Sequence, residues 1–296
     1  MTSFLSRRTI SAACIAGAAA LVALLAPRLE TRVLHAQSGL PNLIVRQDIL
    51  AHHWIVRVEN LPATFCSVQE GEVTPGEHTL LRFSVSTPNI GDADLALGDP
   101  NAHVAANDGL YEFATCHHHY HFRHYALYQL IDPNSGFVWR AAKRGFCMID
   151  VEPAPAYFGI PPGPAQFKAC GQIGIPGNQG ISSGHADEYV WKLGGQYFVL
   201  DGGDGQPVIP PGQYILRITV NPGFVPQAGE NVKFASIDPA TGLYHMLPES
   251  NYADNVAEVL VTIPDHPGKQ AVGPLAGTPE ANDPTFDDDE HDPPVK

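Results

Sequence analysis

Apolar and polar residues alternate along three stretches of the chain: His78 to Ser86, Tyr214 to Val220 and Val256 to Ile263. Successive side chains of a strand point to opposite faces, so a period of two predicts half-buried strands with one face on a core. Between them lie turn-forming runs: Pro161-Pro162-Gly163-Pro164, Asp201-Gly202-Gly203-Asp204-Gly205, Pro210-Pro211-Gly212 and Asn221-Pro222-Gly223. Beyond residue 36 no stretch sustains a helical period, and no repeat or heptad pattern is present. With 28 Gly and 27 Pro, the pattern predicts an all-β chain, an antiparallel β-sandwich with long Gly/Pro-rich loops and little helix.

One long apolar run, Ile10 to Ala26, departs from this pattern. It follows Arg7-Arg8 and precedes a cleavable Leu34-His35-Ala36, so residues 1–36 are expected to be an export signal. Ser6-Arg7-Arg8 hints at twin-arginine export, but the residues after the pair do not complete the usual pattern, so Sec export stays open. The run is short against the ~20 apolar residues of a membrane span. Cleavage with no stable membrane insertion afterwards is therefore expected, an uncleaved anchor being the competing reading. One domain, 37–264, follows. Residues 265–296, rich in acids and proline and nearly devoid of large apolar side chains, are expected to form a disordered tail.

Charge excludes one class of partner. The formal charge is −14, and it grows more negative once the four arginines and one glutamate of the signal are removed. Such a surface repels nucleic acid and favours cations, amines among them. Of five cysteines, Cys14 lies in the signal. The remaining Cys66, Cys116, Cys147 and Cys170 are expected to form two disulfides, in any of three connectivities, in a secreted, periplasmic or cell-surface protein.

Five of the 14 histidines fall between 117 and 124. On a strand, His117, His119 and His121 share one face, whereas His118 and Tyr120 take the other. Three neutral imidazoles suit copper(II), zinc, nickel or iron, and not calcium or magnesium. On an ideal strand His117 and His121 would stand ~13 Å apart, so the chain must bend or bulge here for all three to reach one ion. His118 and His124 are expected to support the site rather than ligate. A free Cys116 thiol beside copper(II) and O2 would oxidise, which favours its pairing.

These residues carry a resemblance. Cys116-His117-His118-His119-Tyr120-His121 resembles the copper-binding C-H-x-H-Y-H of the lysyl oxidase family. Lys143-Arg144-Gly145-Phe146-Cys147 resembles its K-x-x-F-C, and Pro211-Gly212-Gln213-Tyr214-Ile215-Leu216 with Val220-Asn221-Pro222 resembles its P-G-x-Y-I-L and V-N-P. Glu249-Ser250-Asn251-Tyr252-Ala253-Asp254-Asn255 is similar to its E-S-x-Y-x-x-N. The motifs keep the family order across roughly residues 60–263. The resemblance implies a copper-dependent amine oxidase that makes a lysine tyrosylquinone from its own side chains. The lysine would be Lys143. The run Gln179 to Tyr189, similar to Q-G-L-S-P-G-x-x-D-x-Y, makes the tyrosine Tyr189, with Tyr197 and Lys192 as alternates.

The implied reaction takes a primary amine, peptidyl lysine among the candidates, and O2 to an aldehyde, ammonia and hydrogen peroxide. The resemblance also implies a Cys116–Cys170 disulfide, leaving Cys66 with Cys147. It gives no general base: Asp187 is close to Tyr189 in sequence but is expected to be exposed. The chain departs from the family in having only Phe122 and Arg123 between its H-Y-H and the next H-Y, and in lacking extra cysteines near the lysine and tyrosine segments. Its short signal and the absence of a matrix-docking domain suggest a microbial type. Two readings compete: an exported copper-binding β-domain without a quinone, and a cell-surface adhesion module built on segments such as Thr87 to Leu95. Taken singly, Lys143 in a charged stretch would be a solvated surface group, and Tyr189 an ordinary half-buried strand residue.

Overall fold

The structure, a computed structural model, describes residues 39–143, 145–265 and 270–282. The expected export signal lies outside the described residues. Strand Gly76–Phe83 pairs antiparallel with Trp54–Leu61 on one side and Tyr197–Val199 on the other. A second antiparallel sheet runs Val256–Ile263, Gly212–Val220, Ala126–Ile131, Val138–Arg140. In strand Gly212–Val220, Tyr214, Leu216, Ile218 and Val220 are buried while the residues between them are half-buried, the period read from the sequence.

The two sheets share one core. Leu81, Phe83 and Phe198 of the first meet Tyr128, Leu130, Leu216 and Ile218 of the second, and the Phe83 ring lies 5.3 Å from both Tyr128 and Phe198. The chain is thus all-β and antiparallel. Three short helices are present among the described residues. Helix Pro100–Ala106 carries the expected start signals, Asp99 accepting the Asn101 N–H and proline opening the first turn.

Two smaller elements position the site. Strand His185–Tyr189 lies between Val85–Pro88 and Glu152–Pro153, and Tyr111–Ala114 forms a hairpin with His119–Phe122. Phe146 joins them: its carbonyl accepts the Phe122 N–H at 2.7 Å, and its ring packs edge-on against Tyr125 and Tyr189, both at 5.3 Å.

The expected tail begins too early in the sequence reading. Val272 bridges Val56, and Leu275 and Ala281 bury against Ile55 and Trp191; residues 283–296 lie outside the described residues. The segment's average composition is polar, yet its few apolar residues cover an apolar surface that would otherwise face water. Leu275→Ala is expected to cost about 2–3 kcal/mol, read as a lower denaturation midpoint. An unchanged midpoint would mean the segment does not hold to the body in solution.

Candidate metal and cofactor site

The five-histidine segment is a hairpin, not a straight strand. Residues 115–118 form its turn and the returning strand starts at His119. The turn closes when the His118 N–H donates to the Ala114 carbonyl at 2.9 Å, with His118 at φ 59°. It folds His117 back beside the strand face carrying His119 and His121, which overcomes the separation a straight strand would impose. The rings stand 5.7 Å (117–119), 5.3 Å (117–121) and 5.0 Å (119–121) apart by centroid. Tyr120, on the opposite face, donates to Asn101 Oδ1. His118 is exposed at the turn, and His124 sits apart, stacked on Phe224 at 4.9 Å and paired with Glu230 at 3.2 Å.

The chemistry of this trio fits a first-row metal. Burial first, then the neighbouring histidines and Lys143, holds His119 down to about 3 and His121 well below the ordinary histidine range. Both therefore carry free lone pairs at neutral pH. His121 Nε2 is buried and meets no hydrogen-bond partner among the described residues, an arrangement that burial makes costly without a ligand. Among the described residues no three His, Cys, Asp or Glu side chains are closed to coordination geometry, although the three rings are gathered within 5.7 Å of one another by centroid. Gly145 keeps the trio open to the lysine segment, because a Cβ there would lie 1.8 Å from His121 Nδ1.

The disulfides differ from those the resemblance implies. Cys66 pairs with Cys116, and Cys147 with Cys170. The hairpin turn carries Cys116 to the outer end, against helix Cys66–Gln69. Cys170 stays on the other side, where the next residue, Gly171, accepts the Tyr120 N–H, and it meets the cysteine that follows Phe146. The first bridge brings two acids that sequence reasoning missed to the histidines. Glu70 Oε2 lies 3.7 Å from His117 Nε2, and its carboxyl is pushed up by burial, against the Cys116 N–H and Lys143. A small recess is lined by Glu70, Glu72, His117, His121, Lys143 and Gly145.

Lys143 and Tyr189, 46 positions apart in sequence, are adjacent in space. Lys143 Nζ stands 4.8 Å from the Tyr189 ring centroid and 5.4 Å from that of Phe146. The lysine is 8 % exposed and the tyrosine 4 %, against the solvated lysine its charged stretch predicts. The Lys143 and Ala142 N–H groups donate to the carbonyls of Gly195 and Tyr197, which turns the side chain inward. Burial lowers the Lys143 amine to about 8, against the pull of Glu72, Asp187 and Glu70. The Tyr189 hydroxyl donates to the Cys147 carbonyl at 2.8 Å, and burial, then Asp187, raises its pKa well above the ordinary value.

Asp187 is 1 % exposed, contrary to expectation. It shares the inward face of its strand with Tyr189, two residues on, a placement the strand period could have revealed. Burial pushes its carboxyl well up, opposed by Tyr125, Lys143 and Tyr189. The alternates lie elsewhere: the Tyr197 ring packs under Arg82 in a second apolar cluster, and Lys192 lies over Trp191. Clefts open on two sides. One of about 580 Å³ reaches Lys143 past Tyr128, Arg140 and Pro222. Another of about 500 Å³ reaches His117 past Thr64, Gln69 and Glu70.

Comparison with known proteins points to one family. The Homo sapiens and Sus scrofa proteins named protein-lysine 6-oxidase are each 24% identical to the chain over 242 residues, 78% of this chain. The match takes in 47% of the human protein and 79% of the pig one. Homo sapiens lysyl oxidase homolog 3 is 28% identical over 196 residues, 60% of this chain and 23% of its own. The chain thus spans about half the length of the human protein-lysine 6-oxidase it matches. The family profile described as lysyl oxidase matches residues 59–233, a span that takes in the histidine hairpin, Lys143 and Tyr189, and so this chain belongs to the lysyl oxidase family.

Proposed function

We propose that this chain is an exported copper amine oxidase that converts primary amines, lysine side chains among them, to aldehydes with O2 and water, releasing ammonia and hydrogen peroxide. The observation that carries the reading is the Lys143 amine 4.8 Å from the centre of the Tyr189 ring, both buried, with Lys143 in the recess that His117 and His121 line. His117, His119 and His121 would hold copper(II), and Lys143 with Tyr189 would become the lysine tyrosylquinone. Copper supplies one-electron redox chemistry with O2, and the quinone supplies an electrophilic carbonyl.

The remaining work falls to the chain. Burial makes part of the Lys143 population a free amine near neutral pH, as a nucleophile must be, where an exposed lysine is almost wholly protonated. The Cys147 carbonyl fixes the Tyr189 hydroxyl, and Phe146 and Tyr125 wall the ring from water. Asp187 lies against both side chains, and burial favours its neutral form, so it is placed to give a proton and take it back. Two disulfides support an oxidising compartment, and no helix among the described residues is long and apolar enough to cross a membrane.

The test is direct. The chain is incubated with copper(II) in air, digested and mapped, and assayed for peroxide release on simple amines. A single crosslinked peptide joining residues 143 and 189, with peroxide release, is expected. Copper uptake with two separate, unmodified peptides would replace the oxidase with a copper-holding β-domain, and no tight metal at all would favour an adhesion module.

A further inference from the structure

The proposed oxidase site leaves its amine unnamed, and the cleft that leads to Lys143 narrows the choice. Seen as a whole the chain is acidic, which by itself favours a cationic substrate. Locally the sign reverses. No carboxylate lines the cleft among the described residues, and its floor is apolar, from Ala126, Leu127, Ala141 and Pro222. Besides Lys143 and the half-buried His124, the charged group in its wall is Arg140.

Arg140 is held in a way that presents its side chain. Its N–H donates to Gln206 Oε1 at 2.9 Å and its carbonyl accepts Gln206 Nε2 at 2.8 Å. The two bonds clamp the backbone and leave the guanidinium exposed, in no ion pair among the described residues. Two carboxylates that bond residues of the cleft wall are already engaged. Asp204 accepts both the N–H and the Nε2 of Gln206. Glu230, at the rim, faces His124 Nε2 at 3.2 Å and accepts the Gln227 N–H. Arg140 precedes Lys143 by three residues, so their Cα atoms lie at most ~10 Å apart. A short alkyl chain can therefore span from the guanidinium to the Lys143 end of the cleft.

We infer that this cleft selects primary amines carrying a carboxylate at the far end of a short alkyl chain, and that Arg140 is the specificity-determining residue. A guanidinium pairs with a carboxylate through two parallel N–H···O bonds, a fit that a second ammonium cannot make and that like charge opposes. The apolar floor accommodates the intervening methylenes. The amine end then lies toward Lys143 and Tyr189, so the inference rests on the oxidase reading for its chemistry but not for its binding contact.

The test compares three amines of equal chain length, hexylamine, ε-aminocaproate and hexamethylenediamine, on the copper-loaded full chain. Peroxide release is expected to give ε-aminocaproate a kcat/KM about tenfold above hexylamine, with hexamethylenediamine below both. Arg140→Gln is expected to bring the three to within about twofold of one another. A preference for the diamine, or a ranking that survives Arg140→Gln, would overturn the inference. If no amine is oxidised, the oxidase reading fails, and caproate, which has no amine, then decides this one by calorimetry. Caproate binding that weakens about tenfold in Arg140→Gln sustains the cleft assignment, and equal or absent binding removes it.

Discussion

Tyr189→Phe is expected to leave a chain that binds copper(II) as tightly as the parent and oxidises no amine. The ring and its packing against Phe146 remain, while the oxygen needed for a quinone is gone. The metal-free protein should lose only about 1 kcal/mol, the worth of the hydrogen bond to the Cys147 carbonyl. After maturation in air with copper the gap should widen. A bond between Lys143 and Tyr189 closes a loop of about 46 residues, and by analogy with a disulfide such a constraint contributes about 4 kcal/mol. Denaturation midpoints of the two proteins, each with and without maturation, separate the two effects. Retained peroxide release, or a crosslink from Lys143 to another tyrosine, would end the assignment of Tyr189.

Gly145→Ala should do as much harm with a single methyl group. Its Cβ would fall 1.8 Å from His121 Nδ1, 2.6 Å from Cγ and 2.7 Å from Cε1, far inside van der Waals contact. Either the imidazole swings out or the segment bearing Lys143 retreats. The first breaks the trio, and the second draws the amine off the Tyr189 ring. Displacing a group that orients a ligand typically weakens metal binding 10–100-fold. Losing the ligand position itself should reach about the upper end, read by chelator competition, with no 143–189 peptide formed. Gly163→Ala, where nothing lies within 4 Å of the added Cβ, serves as the control and should match the parent. Equal copper affinity together with a normal 143–189 peptide in Gly145→Ala would mean that neither His121 nor Lys143 is held where the site requires it.

The reading of Asp187 shows where linear pattern falls short. Its alternation with Tyr189 is visible in the sequence, yet whether that shared face points to water or inward depends on the sheet's neighbours. Here the face packs on the Phe146 and Tyr125 rings, and the carboxyl goes inside with the tyrosine. Lys143 follows the same logic: Arg140-Ala141-Ala142-Lys143 has the composition of a surface, and two backbone bonds to Gly195 and Tyr197 turn it inward. The tail is the reverse case, since an average over 265–296 hides that Val272 bridges Val56 and that Leu275 and Ala281 meet Ile55 and Trp191.

By itself the sequence determined the all-β class, because a period of two in polarity is a local property of strands, and it singled out the three imidazoles, since dense histidine spacing survives any fold. It also placed Lys143 and Tyr189 in motif order. Only the tertiary structure decided that their side chains lie 4.8 Å apart, that Cys66 holds Cys116, and that Glu70 and Asp187 border the site. Those are contacts between segments remote along the chain. They are fixed by how the hairpin turn and the sheets close on one another, which no single stretch encodes.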